Sequence, residues 1–559
     1  MSRSLPPFDP RMPPATPGRH DAVADPQRRR LLLAVGLGAG VTLAGALPRA
    51  YAAAPATVVA STGHGRVRGV SEQGVHTFKG IRYGADTAAT RFQPPSPPAP
   101  WRGVADALAY GASAPQRGAE GPGSEDCLFL NVWTPALDGA ARRPVLVYFH
   151  GGGYDNGSGS DRLYDGTRLC RRGDVVVVTV NHRLNAFGYL YLGLLGDTRH
   201  AASGNAGQLD LVLALQWVRA NIARFGGDPG NVTVFGQSGG GAKIATLMAM
   251  PAARGLFHKA WTMSGQQVTA AGPRAATQRA QLFLQALDID PVDTTAMERL
   301  HALPVEKILE ATGTRDPSRV EDTRLYFGPV MDGQVLPRHP FWPDAPAQSA
   351  AIPMVIGNTR DETRAFLGND PKNFILGWDE LPARLQKAQF VDIRADLVVA
   401  QYRRLYPRYT PSEVFFAATT AGRSWRGAVE ELEARARQQP GVAPTWAYQL
   451  DWASPLEGGR LRAFHTLDIP LVFDNIGQPG SRTGDGADAQ AMADAMSEAL
   501  LALARHGDPN HRGIARWEPY SSARRQTLLF DVPPSLADDP RGGERRFWQQ
   551  APFVQRGTM

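Results

Sequence analysis

One serine lies in a pattern that suits nucleophilic chemistry. Ser238 stands in Gly236-Gln237-Ser238-Gly239-Gly240, a Gly-x-Ser-x-Gly pattern. Residues 232–235 before it predict a short buried strand, and residues 242–250 after it are compatible with a helix. A sharp turn from strand to helix would lift the serine hydroxyl above a sheet, and the glycines would permit the close backbone approach that this turn needs. The five-residue pattern alone is a weak signal, but this context makes Ser238 a candidate nucleophile.

A run of glycines offers backbone donors for a negatively charged oxygen. Residues 145–149 predict a strand that ends in His150-Gly151-Gly152-Gly153. Consecutive glycines after a strand let N–H groups converge where a tetrahedral intermediate would carry charge. We expect Gly152, Gly153 and Gly239 to supply these N–H groups. The alternatives are a plain glycine turn or a phosphate-binding loop, and the lysine-containing pattern of a phosphate loop is missing here.

Alternating strands and helices must position these residues. Further strands are predicted at residues 175–180 and 352–356, and residues 209–225 have an apolar face at helical spacing. This alternation predicts an α/β fold with a mostly parallel sheet and helices on both faces. Residues 270–440 are helical, charged and irregular apart from the strand at 352–356, so we expect helical insertions over the active edge of the sheet. No linker divides residues 53–559, which we take as one domain.

The N-terminal segment has the features of an export signal. Residues 1–52 hold seven basic and three acidic residues, so they supply +4 of the net charge of +7. The remaining chain is close to neutral, which argues against nucleic-acid binding. Three arginines (28–30) precede the uncharged residues 31–47 and an Ala-x-Ala pattern at 50–52, which resembles a cleaved twin-arginine signal. We therefore expect a periplasmic or secreted enzyme without stable membrane insertion; an uncleaved anchor helix and a cytosolic protein are the alternatives.

The chain resembles the type-B carboxylesterases, the cholinesterase-like branch of the α/β-hydrolases. The resemblance extends over residues 60–545, and its ordered segments are 78–83, 91–92, 124–133, 181–190, 204–210, 221–229 and 507–510. It implies an α/β-hydrolase fold and hydrolysis of small-molecule esters. No metal and no organic cofactor is implied.

The resemblance also locates two further catalytic candidates. The acid of the family follows a strand in a Gly-x-x-x-Asp-Glu context, which here ends in Glu362, with Asp361 as the alternative. The segment 464–473 matches the region of the catalytic histidine and assigns His465. His150 is the alternative, which we expect to shape the glycine run instead. The order nucleophile, acid, base is the one that this fold requires.

Other positions are expected to support the site or the fold. Gln237 stands where the family often has Glu, and Ser264 resembles a serine near the catalytic base, although it could be only a turn residue. By the same resemblance, Arg91 pairs with Glu125 and Arg183 pairs with Asp210.

Two departures from the family concern substrate and thiols. Cys127 lacks its usual partner because Ala114 stands in that place, so Cys127 and Cys170 are expected to be free thiols. Residues 115–126 contain no aromatic side chain that could face a quaternary ammonium. We therefore expect a serine carboxylesterase that prefers neutral esters over choline esters. An amide, carbamate or lactone hydrolase with the same triad, and a non-catalytic binding protein on this fold, are the alternatives.

Overall fold

The computed structural model describes residues 56–118, 123–196, 198–317, 323–389, 391–438 and 441–555. The strands of this described part are β1 (Ala56–Ser61), β2 (Arg66–Glu72), β3 (Val75–Arg82), β4 (Val104–Asp106), β5 (Phe129–Thr134), β6 (Arg143–Phe149), β7 (Val176–Val180), β8 (Gly227–Gln237), β9 (Lys259–Met263), β10 (Met354–Thr359), β11 (Thr445–Leu450), β12 (Gln526–Phe530) and β13 (Ser535–Asp538). The helices of the described part are α1 (Thr167–Gly173), α2 (Asn185–Tyr189), α3 (Ala206–Asn221), α4 (Gly239–Leu247), α5 (Pro273–Gln285), α6 (Ala296–Ala302), α7 (Val305–Ala311), α8 (Arg364–Leu367), α9 (Leu381–Ala388), α10 (Ala395–Leu405), α11 (Pro411–Thr420), α12 (Arg426–Arg437), α13 (Asp468–Val472), α14 (Ala487–His506) and α15 (Gly542–Trp548). A π-helix, Ala421–Trp425, joins α11 to α12. The export signal predicted at residues 1–52 lies outside the described residues.

The strands form one sheet whose centre is parallel. Its order is β1-β2-β3-β5-β7-β6-β8-β9-β10-β11-β12-β13, with β4 beside β2. Every pairing from β7 to β12 is parallel, whereas β1, β2, β3 and β5 pair antiparallel on one side and β13 does so on the other. The mostly parallel sheet predicted from sequence is therefore confirmed. The antiparallel flanks were not predicted.

Alternating side chains of β6 explain why helices cover both faces. Val145, Val147 and Phe149 enter one core together with residues of α3 and α4. Leu146 and Tyr148 enter the opposite core together with residues of α1, α13 and α14. Since successive side chains of a strand point to opposite faces, a fully buried apolar strand needs a helical layer on each side.

The helical insertions predicted for residues 270–440 form two further apolar clusters. One lies around Phe283, Leu300 and Ile308 of α5 to α7. The other joins α9, α10 and α11 to the C-terminal α15. These insertions belong to the same compact unit as the sheet. Within the described residues, no helix combines the length and apolarity needed to cross a membrane.

Candidate active site

Ser238 occupies a strained turn between β8 and α4. Its backbone angles are φ 56° and ψ −125°, a left-handed conformation that a non-glycine residue rarely adopts. Its N–H donates to the Met263 carbonyl at 2.7 Å, which ties the turn to the end of β9. A Cβ at Gly240 would lie 1.9 Å from the Phe149 carbonyl, so only glycine lets α4 start this close to β6. The turn presents Ser238 to a cavity of about 1190 Å³.

The glycine run after β6, residues 150–153, is here called the glycine loop. Gly152 and Gly153 have φ values of 79° and 63°, which favour glycine. A Cβ at Gly239 would lie 2.0 Å from the Gly153 carbonyl, so the loop contacts the start of α4 directly. Gly152, Gly153 and Gly239 line the same cavity as Ser238. Within the described residues, the N–H groups of Gly152 and Gly153 donate no hydrogen bond to another residue, which leaves them available to a ligand.

A buried carboxylate that follows β10 meets an imidazole that precedes α13. Glu362 is fully buried, and its Oε2 accepts a hydrogen bond from His465 Nδ1. Its Oε1 accepts the Thr359 N–H at 3.0 Å and the Asn358 side-chain amide at 3.2 Å. Burial alone would raise the pKa of Glu362, but His465, Ser264 and Asn358 together outweigh burial and lower this pKa below its usual value. The carboxylate is therefore held ionised beside the imidazole.

The alternative assignments have other surroundings. Asp361 accepts a hydrogen bond from Arg364 Nε at 3.2 Å, so Glu362 is the carboxylate that contacts His465. His150 is buried and stacks on His182, with ring centroids 4.7 Å apart. Ser264, directly after β9, accepts the Thr359 N–H at 3.3 Å and is one of the neighbours that lower the pKa of Glu362. It contacts the acid rather than the imidazole.

Gln237 lies beside the imidazole. Its side-chain Nε2 is 3.1 Å from His465 Nε2 and 3.4 Å from Nδ1. Since Nδ1 carries the proton shared with Glu362, the lone pair of Nε2 accepts from the amide. Among the hydrogen bonds of the described residues, none joins Ser238 Oγ to His465. Ser238 and His465 nevertheless line the same cavity.

The insertions supply a large part of the remaining cavity wall. Phe366 packs on the His465 ring with centroids 4.7 Å apart, and the guanidinium of Arg423 lies 4.0 Å above the Phe366 ring. Arg423 belongs to the π-helix, a local irregularity frequent at functional sites. Three glutamines of α5, Gln278, Gln281 and Gln285, also line the cavity. Their spacing on one helical face was readable in the sequence, whereas nothing in the sequence indicated the π-helix.

Comparisons with known proteins identify the family. The profile of the Carboxylesterase family matches residues 55–548. The chain belongs to the carboxylesterase family. It is 36% identical over 508 residues to the para-nitrobenzyl esterase of Bacillus subtilis (strain 168), a match that covers 87% of this chain and 98% of that protein. It is 34% identical over 488 residues to the phenmedipham hydrolase of Pseudarthrobacter oxydans, covering 83% of this chain and 92% of that protein.

Solved structures support the same conclusion. The carboxylesterase EST55 of Geobacillus stearothermophilus at pH 6.2 aligns with a TM-score of 0.77 and 37% identity, covering 88% of this chain and 100% of that chain. The structure of a PNB esterase aligns with a TM-score of 0.73 and 34% identity, covering 87% of this chain and 99% of that chain. The protein is thus a carboxylic ester hydrolase with the α/β-hydrolase fold.

Two ion pairs brace the fold of this carboxylesterase. Arg91 Nε binds Glu125 Oε1 at 2.6 Å, and Arg183 Nη2 binds Asp210 Oδ1 at 2.6 Å, as the resemblance predicted. Both partners of the second pair are buried, so loss of one partner would leave an uncompensated charge.

The cysteines of the carboxylesterase are both buried and free, which confirms the expectation from sequence. Burial raises the pKa of each thiol well above its usual value, so neither is a reactive thiolate at neutral pH.

Proposed function

We propose that this carboxylesterase hydrolyses neutral esters through Ser238 as nucleophile, His465 as general base and Glu362 as the acid that orients the imidazole. The observation that carries the proposal is the buried hydrogen bond between Glu362 and His465 beside the strained turn that holds Ser238. A nucleophile, a base and an orienting carboxylate are the parts that acyl transfer needs.

In the proposed reaction, His465 Nε2 takes the Ser238 proton as Oγ attacks the ester carbonyl. For this step His465 Nε2 gives up the hydrogen bond from the Gln237 amide and accepts one from the Ser238 hydroxyl. Catalytic hydrogen bonds often form fully only when substrate is bound. The resulting imidazolium is stabilised by the ionised Glu362. It then protonates the departing alcohol, and water hydrolyses the acyl-enzyme through the same base.

The negative oxygen of the tetrahedral intermediate is assigned to the N–H groups of Gly152, Gly153 and Gly239. These residues line one cavity with Ser238, and the loop that carries the first two packs directly on the start of α4. Donors fixed before the reaction stabilise the developing charge without reorganisation.

The side chains around the imidazole support the proposed preference for neutral over cationic esters. Phe366 offers an aromatic ring beside His465, but Arg423 already lies over that ring. A quaternary ammonium brought to this wall would meet a like charge. Gln237 is neutral where a carboxylate would attract a cation.

The triad is tested by Ser238→Ala and by labelling with a fluorophosphonate probe. We expect loss of p-nitrophenyl butyrate turnover by about 10⁴-fold or more, an unchanged Tm, and label on the peptide that contains Ser238. Full turnover in the variant, or label on another peptide, would contradict the proposal. A panel with a matched amide, carbamate and lactone distinguishes ester hydrolysis from the alternative reactions, and failure on every substrate would favour a binding protein.

We also propose export through the signal at residues 1–52. The support is the run of three arginines, the uncharged segment and the Ala-x-Ala pattern. Replacement of all three arginines by lysine is expected to remove the protein from the periplasm, and the intact mass of exported protein should place its N-terminus near residue 53. A soluble product that retains residues 1–52 would contradict this.

A further inference from the structure

Helix α4 carries a lysine where the surrounding chain is entirely buried. All nine residues of α4 are buried, and Lys243 is the single ionisable residue among Gly239-Gly240-Gly241-Ala242-Lys243-Ile244-Ala245-Thr246-Leu247. Its side chain has no exposed surface. Within the described residues, no carboxylate lies within 4.0 Å of its ammonium. Burying a lysine without a carboxylate partner costs folding free energy, so we expect Lys243 to have a function that explains its presence.

The ammonium reaches the back of the glycine loop. Lys243 Nζ donates to the His150 carbonyl at 3.0 Å, at the point where β6 passes into the loop. Nζ also lies 5.7 Å from the centre of the Tyr154 ring, which follows Gly153 directly. One side chain therefore holds both ends of the segment that contains Gly151, Gly152 and Gly153.

The lysine does not touch substrate. It is absent from the residues that line the cavity, although Ala242 before it lines it. Its contacts restrict the peptide plane between His150 and Gly151, and hence the direction in which the loop continues. The neighbouring rings do not compete as cations, because burial and the charge of Lys243 lower the pKa of both His150 and His182 well below the usual value.

We propose that Lys243 is a positioning residue for the oxyanion site, which holds the glycine loop through the His150 carbonyl so that its N–H groups face the reacting oxygen. The assignment rests on the proposed function, because it presupposes that Gly152 and Gly153 stabilise the intermediate. Burial lowers the pKa of Lys243 to about 7, and both its protonated and its neutral form retain N–H donors for the carbonyl.

The test compares Lys243→Met, Lys243→Gln and the control Lys259→Met. Lys259 is a half-buried lysine at the start of β9 that also donates to a backbone carbonyl, that of Ala504 at 2.9 Å, away from the cavity. Steady-state kinetics use p-nitrophenyl butyrate, and butaneboronic acid serves as a probe because its tetrahedral adduct carries the negative charge of the intermediate.

We expect Lys243→Met to lower kcat about 10- to 100-fold, less than the loss of a direct donor, with KM changed by less than about threefold. The inhibition constant of butaneboronic acid should rise by the same factor as kcat falls. Lys243→Gln, which keeps an N–H donor, should lie between wild type and Lys243→Met, and Lys259→Met should match wild type.

A merely structural role would lower Tm and active enzyme concentration without a matched change in boronate affinity, and that result would overturn the proposal. A kcat within twofold of wild type in both Lys243 variants would overturn it too. If Lys243→Met does not fold, the boronate affinity and kcat of Lys243→Gln decide alone. Active Ser238→Ala enzyme would instead refute the proposed function, so the two failures are distinguishable.

Discussion

The carboxyl edge of the parallel strands and the helical cover above it, comprising α5 to α12 with the π-helix, are built by different means. At the edge, β6, β8 and β10 end in the glycine loop, Ser238 and Glu362, and main chain meets main chain at close range. In the cover, side chains such as Arg423 and Gln281 form the cavity wall. Backbone contacts leave no room for substitution, whereas side chains of a helix face can change freely. In the proposed function, the edge therefore carries the reaction, and we expect the cover to determine which substrate fits.

Two buried glutamates, one from each region, show what burial alone does. Glu362 accepts hydrogen bonds from His465, Thr359 and Asn358, and its pKa is lowered. Glu431 on α12 accepts only the Gln267 N–H at 2.8 Å through Oε1, while its Oε2 has no hydrogen-bond partner within the described residues. Burial raises the pKa of Glu431 to about 8. Partners, rather than depth, keep a carboxylate charged at neutral pH.

The largest expected effect separates these two carboxylates by activity. Glu362→Gln should lower kcat about 10³- to 10⁴-fold, because the imidazole loses its orienting anion. Glu431→Gln should change kcat less than threefold, and Asp361→Asn, beside Glu362 but paired with Arg364, is the matched control at the edge. Kinetics with p-nitrophenyl butyrate check all three. Equal losses in Glu362→Gln and Asp361→Asn would break the comparison.

The next effect concerns selectivity from the cover. The wild type should have a higher kcat/KM for 3,3-dimethylbutyl butyrate, the neutral isostere of butyrylcholine, than for butyrylcholine itself. Arg423→Met should raise kcat/KM for butyrylcholine about three- to tenfold, since the charge over Phe366 is gone. Arg423→Lys, which keeps the charge, serves as control. If the choline ester is already the better substrate, Arg423 does not repel a cation at this wall.

Sequence reasoning reached the edge more completely than the cover for a physical reason. Ser238 and Gly152 depend on local backbone chemistry, which a few adjacent residues reveal. Glu362 and His465 come from separate segments, and only the family resemblance located them. Arg423 and the antiparallel flank of β1 to β3 depend on long-range packing and a π-helix that leave no local signal. Lys243 was readable as one charge in an otherwise uncharged segment, but its contact with His150 required the fold.

A smaller effect at the edge is a displacement of the pH profile. Gln237→Glu places a carboxylate beside His465 Nε2, where the amide now lies at 3.1 Å. A nearby anion favours the imidazolium, which cannot act as base, so the acidic limb of kcat/KM should move to higher pH by up to about one unit. Activity at alkaline pH should change little. An acidic limb at the wild-type position would show that residue 237 does not act on the imidazole.

The smallest expected effect is a stability difference in the cover that depends on pH. Because the folded pKa of Glu431 is about 8 and its ordinary value is 4.5, the folded state binds more protons between these values. Its contribution to stability is therefore greatest at low pH and declines as pH rises to about 8, by at most about 1.4 kcal/mol per pH unit.

Glu431→Gln removes this slope, so its Tm relative to wild type should increase from pH 5 to pH 8. Glu362→Gln should show no such slope between pH 5 and pH 8, since a lowered pKa makes stability depend on pH only below the ordinary value of 4.5. Parallel Tm curves for Glu431→Gln and wild type would mean that Glu431 is ionised in the folded enzyme and that the two carboxylates do not differ.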